Sequence, residues 1–500
     1  MQTLVSRVES IAARTPGRIA IGEYGRQATY RQFWEQARAF AELLRDHGLL
    51  PGDRVAVVLP NRIEAAVAVY GTWIAGGVAV PLNAQARERD LAAWIEHCDA
   101  TAVVHEPGNP DAAAAVAASA GERVLIAVEG NGLVASGARG ARASRADVRT
   151  NGLATILYTS GTTGTPKGVM LGHEGLLANA RAVIAYLELV ADDSVLSVLP
   201  FYYAYGASVL HTHLAIGAQI QLAPNLLFPN LIVQTMQDMQ ITGFSGVSST
   251  YSLLLKHGRL AQHDLSCLRY ITQAGGPMSA ALTHELRTAL PGPKLFRMYG
   301  QTEATARLTW LPPDDLDRKP WSVGVPIPGV RLKVVCEDGT TALPGEEGEV
   351  WAHGPSVMLG YWDNPDATSA ALQDGWLRTG DIGHLDQDGY LYLSGRRSDM
   401  IKTGAHRVHP ADVEDVIAGI PGVLETAVVG VDDETMGQVI KAIIVCDPSA
   451  ACTAARIKAH CLSRLPAYKV PKLIEFASEL PRTASGKVRR HLLQVAGATT

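Results

Sequence analysis

The stretch YTSGTTGTPKGVML, residues 158–171, combines small polar residues with one lysine and then becomes apolar. Glycines let the backbone turn its amides inward, and hydroxyls and an ammonium group add donors for an anion. The spacing is not that of the GxxxxGK[ST] phosphate loop, because Lys167 follows Pro166 and precedes Gly168. The stretch predicts a polyphosphate-binding loop of another kind, with a plain surface loop as the alternative. The predicted phosphate ligands are Thr159, Ser160, Gly161, Thr162, Thr163, Gly164 and Lys167.

A single carboxylate stands in a second polar stretch, MYGQTEAT, residues 298–305. Glu303 could bind Mg²⁺ beside a phosphate loop, since this hard cation prefers oxygen ligands. The alternative is a solvated glutamate at a helix start, preceded by Thr302 as the N-cap.

A third stretch, residues 375–414, carries an aspartate between two glycines and an arginine after another glycine. Asp381 could accept hydrogen bonds from two sugar hydroxyls, and Arg396 could donate from the same side. An aspartate in a tight turn is the alternative.

The fourth stretch, LPRTASGKVRR, lies close to the carboxyl terminus. Lys487 follows Ser485 and Gly486 and could bring a positive charge to a site made by the rest of the chain. In isolation, a frayed basic tail explains this stretch as well.

The elements that must position these residues alternate between β-branched runs and helical segments. Such runs are RVAVVL, ATAVVH, ATILYT and SVLSVLP, and their alternation with helices predicts an α/β fold with largely parallel sheets. The apolar residues 65–82 contain Gly76 and Gly77, which favours a buried helix, a turn and a buried strand over a membrane span. Residues 106–148, rich in alanine and glycine, predict a surface helix and loop.

The composition changes after about residue 325, where strand–turn–strand patterns begin, with EDGT as a hairpin turn. A small unit with two helices and two strands follows from residue 399, after the charged GRRSD segment. We therefore expect a large N-terminal domain, residues 1–396, with parallel-rich sheets flanked by helices and a β-subdomain. A small α+β C-terminal domain would span residues 397–500 and carry Lys487.

Composition excludes several classes of protein. The chain has 500 residues, 47% hydrophobic and 19% charged, which is typical of a folded protein of two or more domains. A net charge of −5 disfavours a nucleic-acid partner. The six cysteines form no CxxC pattern, which predicts neither zinc nor a disulfide framework and favours a reducing, cytoplasmic location. No signal peptide is visible, and the sequence leaves the oligomeric state open, a homodimer included.

In order and spacing, the four stretches resemble the adenylate-forming superfamily of acyl-CoA synthetases, adenylation domains and luciferase-like enzymes. The resemblance covers essentially the whole chain and includes GDRVAVVLPN, GGVAVPLN, LPFYYAYG, QAGGPMS, GYWDNPDAT and GWLRTGD. It implies that a carboxylate attacks the α-phosphorus of ATP, giving an acyl-adenylate and pyrophosphate. A thiol of CoA, or of the phosphopantetheine of an acyl carrier protein, then displaces AMP.

The resemblance also assigns roles to residues of this chain. The loop from Thr159 to Lys167 would hold the β- and γ-phosphates, Thr302 would touch the α-phosphate, and Glu303 would bind Mg²⁺. Lys487 would bridge the acid and the α-phosphate. Tyr299, Gly275 and Gly276 would contact the adenine of ATP. Asp381 and Arg396 would bind its ribose.

Two positions depart from the family pattern. Ser398 stands where the hinge of the small domain usually has Asp or Lys, and a small polar residue can still absorb a change in φ and ψ. Ala405 stands where glycine commonly lines the pantetheine tunnel, which weakens the case for CoA as acceptor.

The identity of the small carboxylic acid depends on a pocket for which the resemblance predicts seven lining residues: Tyr203, Ala204, Phe244, Val247, Gly300, Thr305 and Arg307. Ala204 disfavours an α-amino acid, because amino-acid-activating relatives place an aspartate there. A fatty or other apolar acid or an aromatic acid remains, and Arg307 would pair either with a second carboxylate or with a structural salt-bridge partner. Three hypotheses stay open: transfer to a thiol, transfer to a non-thiol acceptor in an amide-forming or nitrite-activating enzyme, and a catalytically dead nucleotide-binding relative.

Overall fold

A computed structural model describes most of the chain. The described residues are 2–23, 25–118, 123–130, 132–136, 152–159, 167–223, 228–397, 399–403, 406–433, 436–448, 450, 452–482 and 488–494. Their helices are α1 Leu4–Arg14, α2 Tyr30–Asp46, α3 Ile63–Ala75, α4 Glu88–His97, α5 Pro110–Ala118, α6 His173–Tyr186, α7 Ala204–Ile216, α8 Pro229–Asp238, α9 Ser248–His257, α10 Ala280–Ala289, α11 Pro365–Ala371, α12 Pro410–Ala418 and α13 Ala454–Leu462.

The strands follow the same chain order. They are β1 Ile19–Glu23, β2 Arg26–Thr29, β3 Arg54–Val58, β4 Val78–Pro81, β5 Ala100–His105, β6 Val124–Glu129, β7 Gly132–Ser136, β8 Leu153–Thr159, β9 Lys167–Gly172, β10 Ser194–Ser197, β11 Gln219–Leu222, β12 Gly243–Gly246, β13 Tyr270–Gln273, β14 Lys294–Tyr299, β15 Thr309–Leu311, β16 Val325–Pro326, β17 Arg331–Val335, β18 Gly348–His353, β19 Gly360–Tyr361, β20 Leu372–Gln373, β21 Trp376–Leu385, β22 Leu391–Arg396, β23 Ile401–Thr403, β24 His406–Val408, β25 Val423–Asp433, β26 Gly437–Cys446 and β27 Leu473–Phe476.

Two large sheets form the body of the molecule. Within the described ranges, one has the strand order β16-β15-β14-β13-β12-β10-β11-β1-β2 and the other β19-β9-β8-β4-β3-β5-β6-β7. The central neighbours in both sheets are parallel. Central strands such as β3 are buried along their whole length, as expected for parallel strands covered on both faces. The predicted α/β fold is therefore confirmed.

The apolar segment at residues 65–82 forms a buried helix and a buried strand, as predicted. Every residue of α3 except Ile74 is buried, and the helix ends at Gly76, whose φ of 86° is left-handed. Such a backbone favours glycine and lets the chain enter β4 at once. Within the described ranges, the structure has no helix with the length and apolar composition that a membrane span requires.

The prediction for residues 106–148 was partly wrong. The expected helix is present as α5, but β6 and β7 follow it and extend the second large sheet. In β6, Val124, Ile126 and Val128 are buried, so the segment contributes to the core. The alternation of apolar residues in VLIAVE was the signal for a strand, and the alanine-rich surroundings obscured it.

Two smaller sheets complete the fold. Strands β17, β18, β21, β20 and β22 form an antiparallel subdomain, with the EDGT turn between β17 and β18 as predicted. Strands β24, β23, β26, β25 and β27 form the C-terminal sheet, against which α12 packs. All six cysteines are free thiols.

Candidate active site

The predicted phosphate-binding loop links two paired strands. Strands β8 and β9 are antiparallel, and Thr159 lies opposite Lys167 at the end of the pair. The first and last residues of the predicted loop are thus neighbours across the sheet. The other predicted loop residues lie outside the part of the chain that the structure describes: Ser160, Gly161, Thr162, Thr163 and Gly164.

Tyr361 joins Lys167 to Glu303. The ammonium nitrogen of Lys167 lies 5.0 Å from the centroid of the Tyr361 ring. The Tyr361 hydroxyl donates a hydrogen bond of 3.0 Å to Oε1 of Glu303. Burial and the charge of Glu303 raise the pKa of Tyr361, so its phenol remains a donor at neutral pH. One ring therefore holds the lysine on its face and the carboxylate at its hydroxyl.

The backbone also holds Glu303 in place. A short 3₁₀ helix, Thr302–Ala304, follows Gln301, and no side chain caps it, so the alternative of Thr302 as an N-cap was wrong. The amide of Met358 donates to the carbonyl oxygen of Glu303 at 2.8 Å. Glu303 is partly buried and not a fully solvated helix-start residue.

Metal binding here would depend on one protein carboxylate. Among the described residues, no group of three or more His, Cys, Asp or Glu side chains could hold a metal ion. Mg²⁺ commonly takes only one or two carboxylates and completes its octahedron with phosphates and waters. Glu303 beside a phosphate loop fits that kind of site.

The predicted ribose ligands form one hydrogen-bonded group. Asp381 on β21 is the register partner of Arg396 on β22. Nε of Arg396 donates to Oδ1 of Asp381 at 3.1 Å, and the Tyr299 hydroxyl donates to Oδ2 at 2.5 Å. Asp381 is 6% exposed and lies within a strand, so the tight-turn alternative was wrong. The charge of Asp381 raises the pKa of Arg396, while burial raises that of Tyr299.

Two of the predicted adenine contacts, Gly275 and Gly276, lie after β13, and the third, Tyr299, ends β14. Gly275 has a left-handed φ of 87°, and a Cβ added there would lie 3.3 Å from Val247 Cγ1. The side-chain amide of Gln273 donates to the carbonyl oxygen of Gly276 at 2.7 Å. The structure thus brings predicted adenine and acid contacts together at Gly275 and Val247.

A strained turn follows Tyr299. Thr305 and Ala306 have φ values of 55° and 89°, both in the left-handed region. A Cβ added at Gly300 would lie 2.1 Å from the carbonyl oxygen of Ala306, so only glycine fits there. The Thr305 hydroxyl donates to the Ser356 carbonyl at 2.6 Å. This turn fixes the position of the next residue, Arg307. Non-glycine residues in such backbone conformations often mark functional sites.

The predicted acid-binding residues divide into two groups. Ala204 and Thr305 line a narrow internal cavity between α3, α6 and α7, and Tyr203 precedes α7 with its ring 4.5 Å from that of Tyr202. Phe244 instead packs edge-to-face on Tyr251, in a core cluster behind the sheet. The structure does not bring Phe244 to this cavity.

The sequence pattern did not predict the polar residues that line this cavity. The wall includes Asn179, Ser208, His211 and Thr212. The Ser208 hydroxyl donates to Asn179 Oδ1 at 3.3 Å, while Thr212 Oγ1 is buried and has no hydrogen-bond partner among the described residues. The signal was available in SVLHTHLAIG, where polar residues interrupt an apolar helix.

Three further predicted functional residues lie outside the described ranges: Lys487, Ser398 and Ala405. Described residues on either side of Lys487 and of Ala405 pair with each other. Arg482 and Val488 form an antiparallel bridge, and Thr403 pairs with His406.

Family models match both parts of the chain. The model for AMP-binding enzymes matches residues 8–362, and the model for the AMP-binding enzyme C-terminal domain matches residues 412–487. Among curated proteins, a long-chain-fatty-acid–CoA ligase of Bacillus subtilis is 32% identical, covering 99% of this chain and 94% of the ligase.

Solved structures are similar over the same length. ATP-bound MatB from Rhodopseudomonas palustris has a TM-score of 0.89 and 31% identity, with 98% of each chain covered. The amide bond synthetase McbA from Marinactinospora thermotolerans has a TM-score of 0.88 and 27% identity, with 99% of each chain covered.

Proposed function

Because this chain belongs to the family of AMP-binding enzymes, we propose that its site joins a carboxylic acid to the α-phosphate of ATP and passes the acyl group to a thiol. The chain is an AMP-forming acid ligase. The observation that carries the site assignment is the pair of groups around Tyr361 and Asp381. One provides a lysine and a carboxylate for phosphate and Mg²⁺, and the other provides hydrogen-bonding groups for ribose.

In the first half-reaction, an oxygen of the acid attacks the α-phosphorus, and the bond to the β-phosphate oxygen breaks. Lys167 and the loop before it stabilise the departing pyrophosphate. Lys487 neutralises repulsion between the acid and the α-phosphate, with Thr302 as a further donor. Mg²⁺, held through Glu303, would offset charge on the phosphates. The acid is already ionised at neutral pH, so no general base is required.

In the second half-reaction, the thiolate attacks the acyl carbon, the bond to the AMP oxygen breaks, and the thiol proton passes to solvent. We propose CoA as the acceptor, with the phosphopantetheine of an acyl carrier protein as its chemical equivalent. The domain boundary is placed after Arg396, so that Ser398 acts as the hinge of a C-terminal domain carrying Lys487. We further propose a cytoplasmic location and leave a homodimer as a hypothesis for solution measurement.

A non-thiol acceptor is the second candidate. Two observations favour it: Ala405 replaces the glycine expected in the pantetheine tunnel, and an amide bond synthetase is among the similar structures. Adding an amine in place of CoA distinguishes the two candidates, because an enzyme with a non-thiol acceptor would form an amide from the same adenylate.

Pyrophosphate release over a panel of carboxylic acids tests the proposal. We expect ATP-, Mg²⁺- and acid-dependent release, with thioester formed only when CoA is added. Lys487→Ala should lower adenylation at least about 100-fold while ATP binding changes little. Lys472→Ala, at an exposed lysine of the same domain, is the matched control and should retain activity. Equal loss in both variants, or no release with any acid, would contradict the proposal.

A further inference from the structure

Arg307 is a buried cation that has no anion beside it in the part of the chain that the structure describes. The residue is 2% exposed, yet within the described ranges no carboxylate lies within ion-pair distance of its guanidinium. The structural salt bridge, one of the two roles expected from the sequence, is therefore not found among the described residues. An uncompensated buried charge destabilises a protein strongly, so its retention calls for another explanation.

The described neighbours of Arg307 offer its five N–H donors only uncharged acceptors. Nε lies 3.2 Å from the sulfur of Met298, a weak acceptor, and Nη1 lies 3.4 Å from the carbonyl oxygen of Ala306. The guanidinium carbon lies 4.0 Å from the centroid of the Tyr205 ring. The side chain of Tyr186 is a further hydrogen-bond partner of the guanidinium.

The nearby phenols do not supply the missing negative charge. Burial raises the pKa of Tyr186 to about 12 and outweighs the opposing effect of Arg307. Burial likewise raises the pKa of Tyr205, whose hydroxyl lies 2.8 Å from Thr272 Oγ1. Both phenols stay neutral at neutral pH, so the positive charge of Arg307 has no local counter-charge.

Residues next to Arg307 and to its ring contact Tyr205 line the internal cavity. Tyr205 is only partly buried and belongs to the first turn of α7, next to Ala204, which lines the internal cavity. Thr305, two residues before Arg307, lines the same cavity. The N-terminus of α7 has no side-chain cap, and its dipole adds to the positive potential of Arg307. An ammonium group would be repelled here, and an anion would be attracted.

We propose that Arg307 binds a second carboxylate of the acid substrate, so that the preferred substrate of this ligase is a dicarboxylic acid. One carboxylate is adenylated, and the other pairs with the guanidinium, whose planar fork suits a carboxylate. This inference rests on the proposed acid-activating function.

The test compares dicarboxylic acids with monocarboxylic acids of the same carbon skeleton in the pyrophosphate-release assay. Suitable pairs are succinate with butyrate, glutarate with valerate, adipate with hexanoate, and phthalate with benzoate. Wild-type enzyme should prefer the best dicarboxylate over its partner by at least about 100-fold in kcat/KM, since a site built for a polar group rejects an analogue without it. Arg307→Met should remove most of that preference and leave the monocarboxylate within about tenfold of wild type.

Two further variants separate recognition from folding. Arg307→Lys keeps a charge without the planar fork and should retain an intermediate preference. Arg297→Met alters a second buried arginine, whose two η nitrogens donate to backbone carbonyls and to Thr283, and should change both acids of a pair alike. Dicarboxylates alone should also raise the Tm of wild type but not of Arg307→Met, because a bound ligand stabilises the folded state.

Preference for monocarboxylates in wild type, or an unchanged preference in both Arg307 variants, would overturn the inference. If no acid causes pyrophosphate release but dicarboxylates still raise the Tm through Arg307, the proposed function is contradicted. The inference that Arg307 binds an anion would then still hold. If neither pyrophosphate release nor dicarboxylate-dependent stabilisation is observed, the proposed function and the role of Arg307 are both overturned.

Discussion

At the scale of single residues, Tyr361 contacts residues of two motifs that are far apart in the chain and so connects them in one site. Its hydroxyl meets Glu303, 58 positions away in the chain, and its ring lies beneath Lys167. The hydroxyl therefore orients the carboxylate that is the predicted Mg²⁺ ligand. Outer contacts of this kind fix the geometry of metal-binding carboxylates.

Tyr361→Phe should weaken metal use while preserving the ring under Lys167. Loss of the hydrogen bond frees the Glu303 carboxylate, so we expect the Mg²⁺ concentration for half-maximal pyrophosphate release to rise about tenfold or more. Tyr390→Phe is the control, because it removes a hydroxyl bonded to Asp315, away from this site. An unchanged Mg²⁺ requirement in Tyr361→Phe would separate this tyrosine from metal binding.

Residue types and spacing predicted several residues of this site but not the side chains that hydrogen-bond to them. Lys167, Glu303, Asp381 and Arg396 were identified because their motifs occur in family order, and the structure groups them in two clusters. The hydrogen bond between Tyr299 and Asp381 joins residues 82 positions apart. No local pattern encodes such a contact, because it depends on how separate sheets approach each other.

At the scale of elements, α7 combines a buried position with unusual polarity. His211 and His213 both lie in its buried part, and burial lowers their pKa values to about 3 and about 4. Nδ1 of His211 lies 3.4 Å from the Tyr70 hydroxyl, and Nε2 of His213 lies 2.7 Å from that of Tyr270. The apolar pattern predicted a buried helix, but periodicity does not reveal which polar atoms find partners.

These histidines should make the fold sensitive to acid. Their folded pKa values lie below the unfolded value of about 6.5, so stability is complete above pH 6.5 and falls as the unfolded chain takes up protons. At pH 5, the His211 contribution amounts to a loss of about 2 kcal/mol. His211→Gln should therefore lose about 2 kcal/mol less than wild type between pH 7 and pH 5, measured by urea unfolding. The exposed His257→Gln is the control, and equal slopes for all three proteins would refute this account.

At the scale of the whole molecule, a polar cleft separates the β-subdomain from the C-terminal sheet. It has a volume of about 770 Å³ and is lined by charged and aromatic residues of both parts, including Arg397 and Lys469. One contact across it joins Nε2 of His409 to the Glu347 carboxylate at 3.7 Å, and that contact lowers the pKa of Glu347 to about 2. Polar, open interfaces of this kind suit domains that move relative to each other. The change in composition near residue 325 indicated separate units, but not how they face each other.

Ser398→Pro should test whether the small domain rotates between the two half-reactions. Proline fixes φ, so a hinge that must change its backbone dihedrals would be held in one state. We expect adenylation, measured as pyrophosphate release, to fall less than about threefold, and thioester formation from preformed adenylate to fall at least about tenfold. Gln387→Pro is the matched control, since it places proline in an exposed turn of the N-terminal domain and should leave both steps intact. Equal losses in both half-reactions of Ser398→Pro would show that the substitution damages the site itself, and domain rotation at this position would then be rejected.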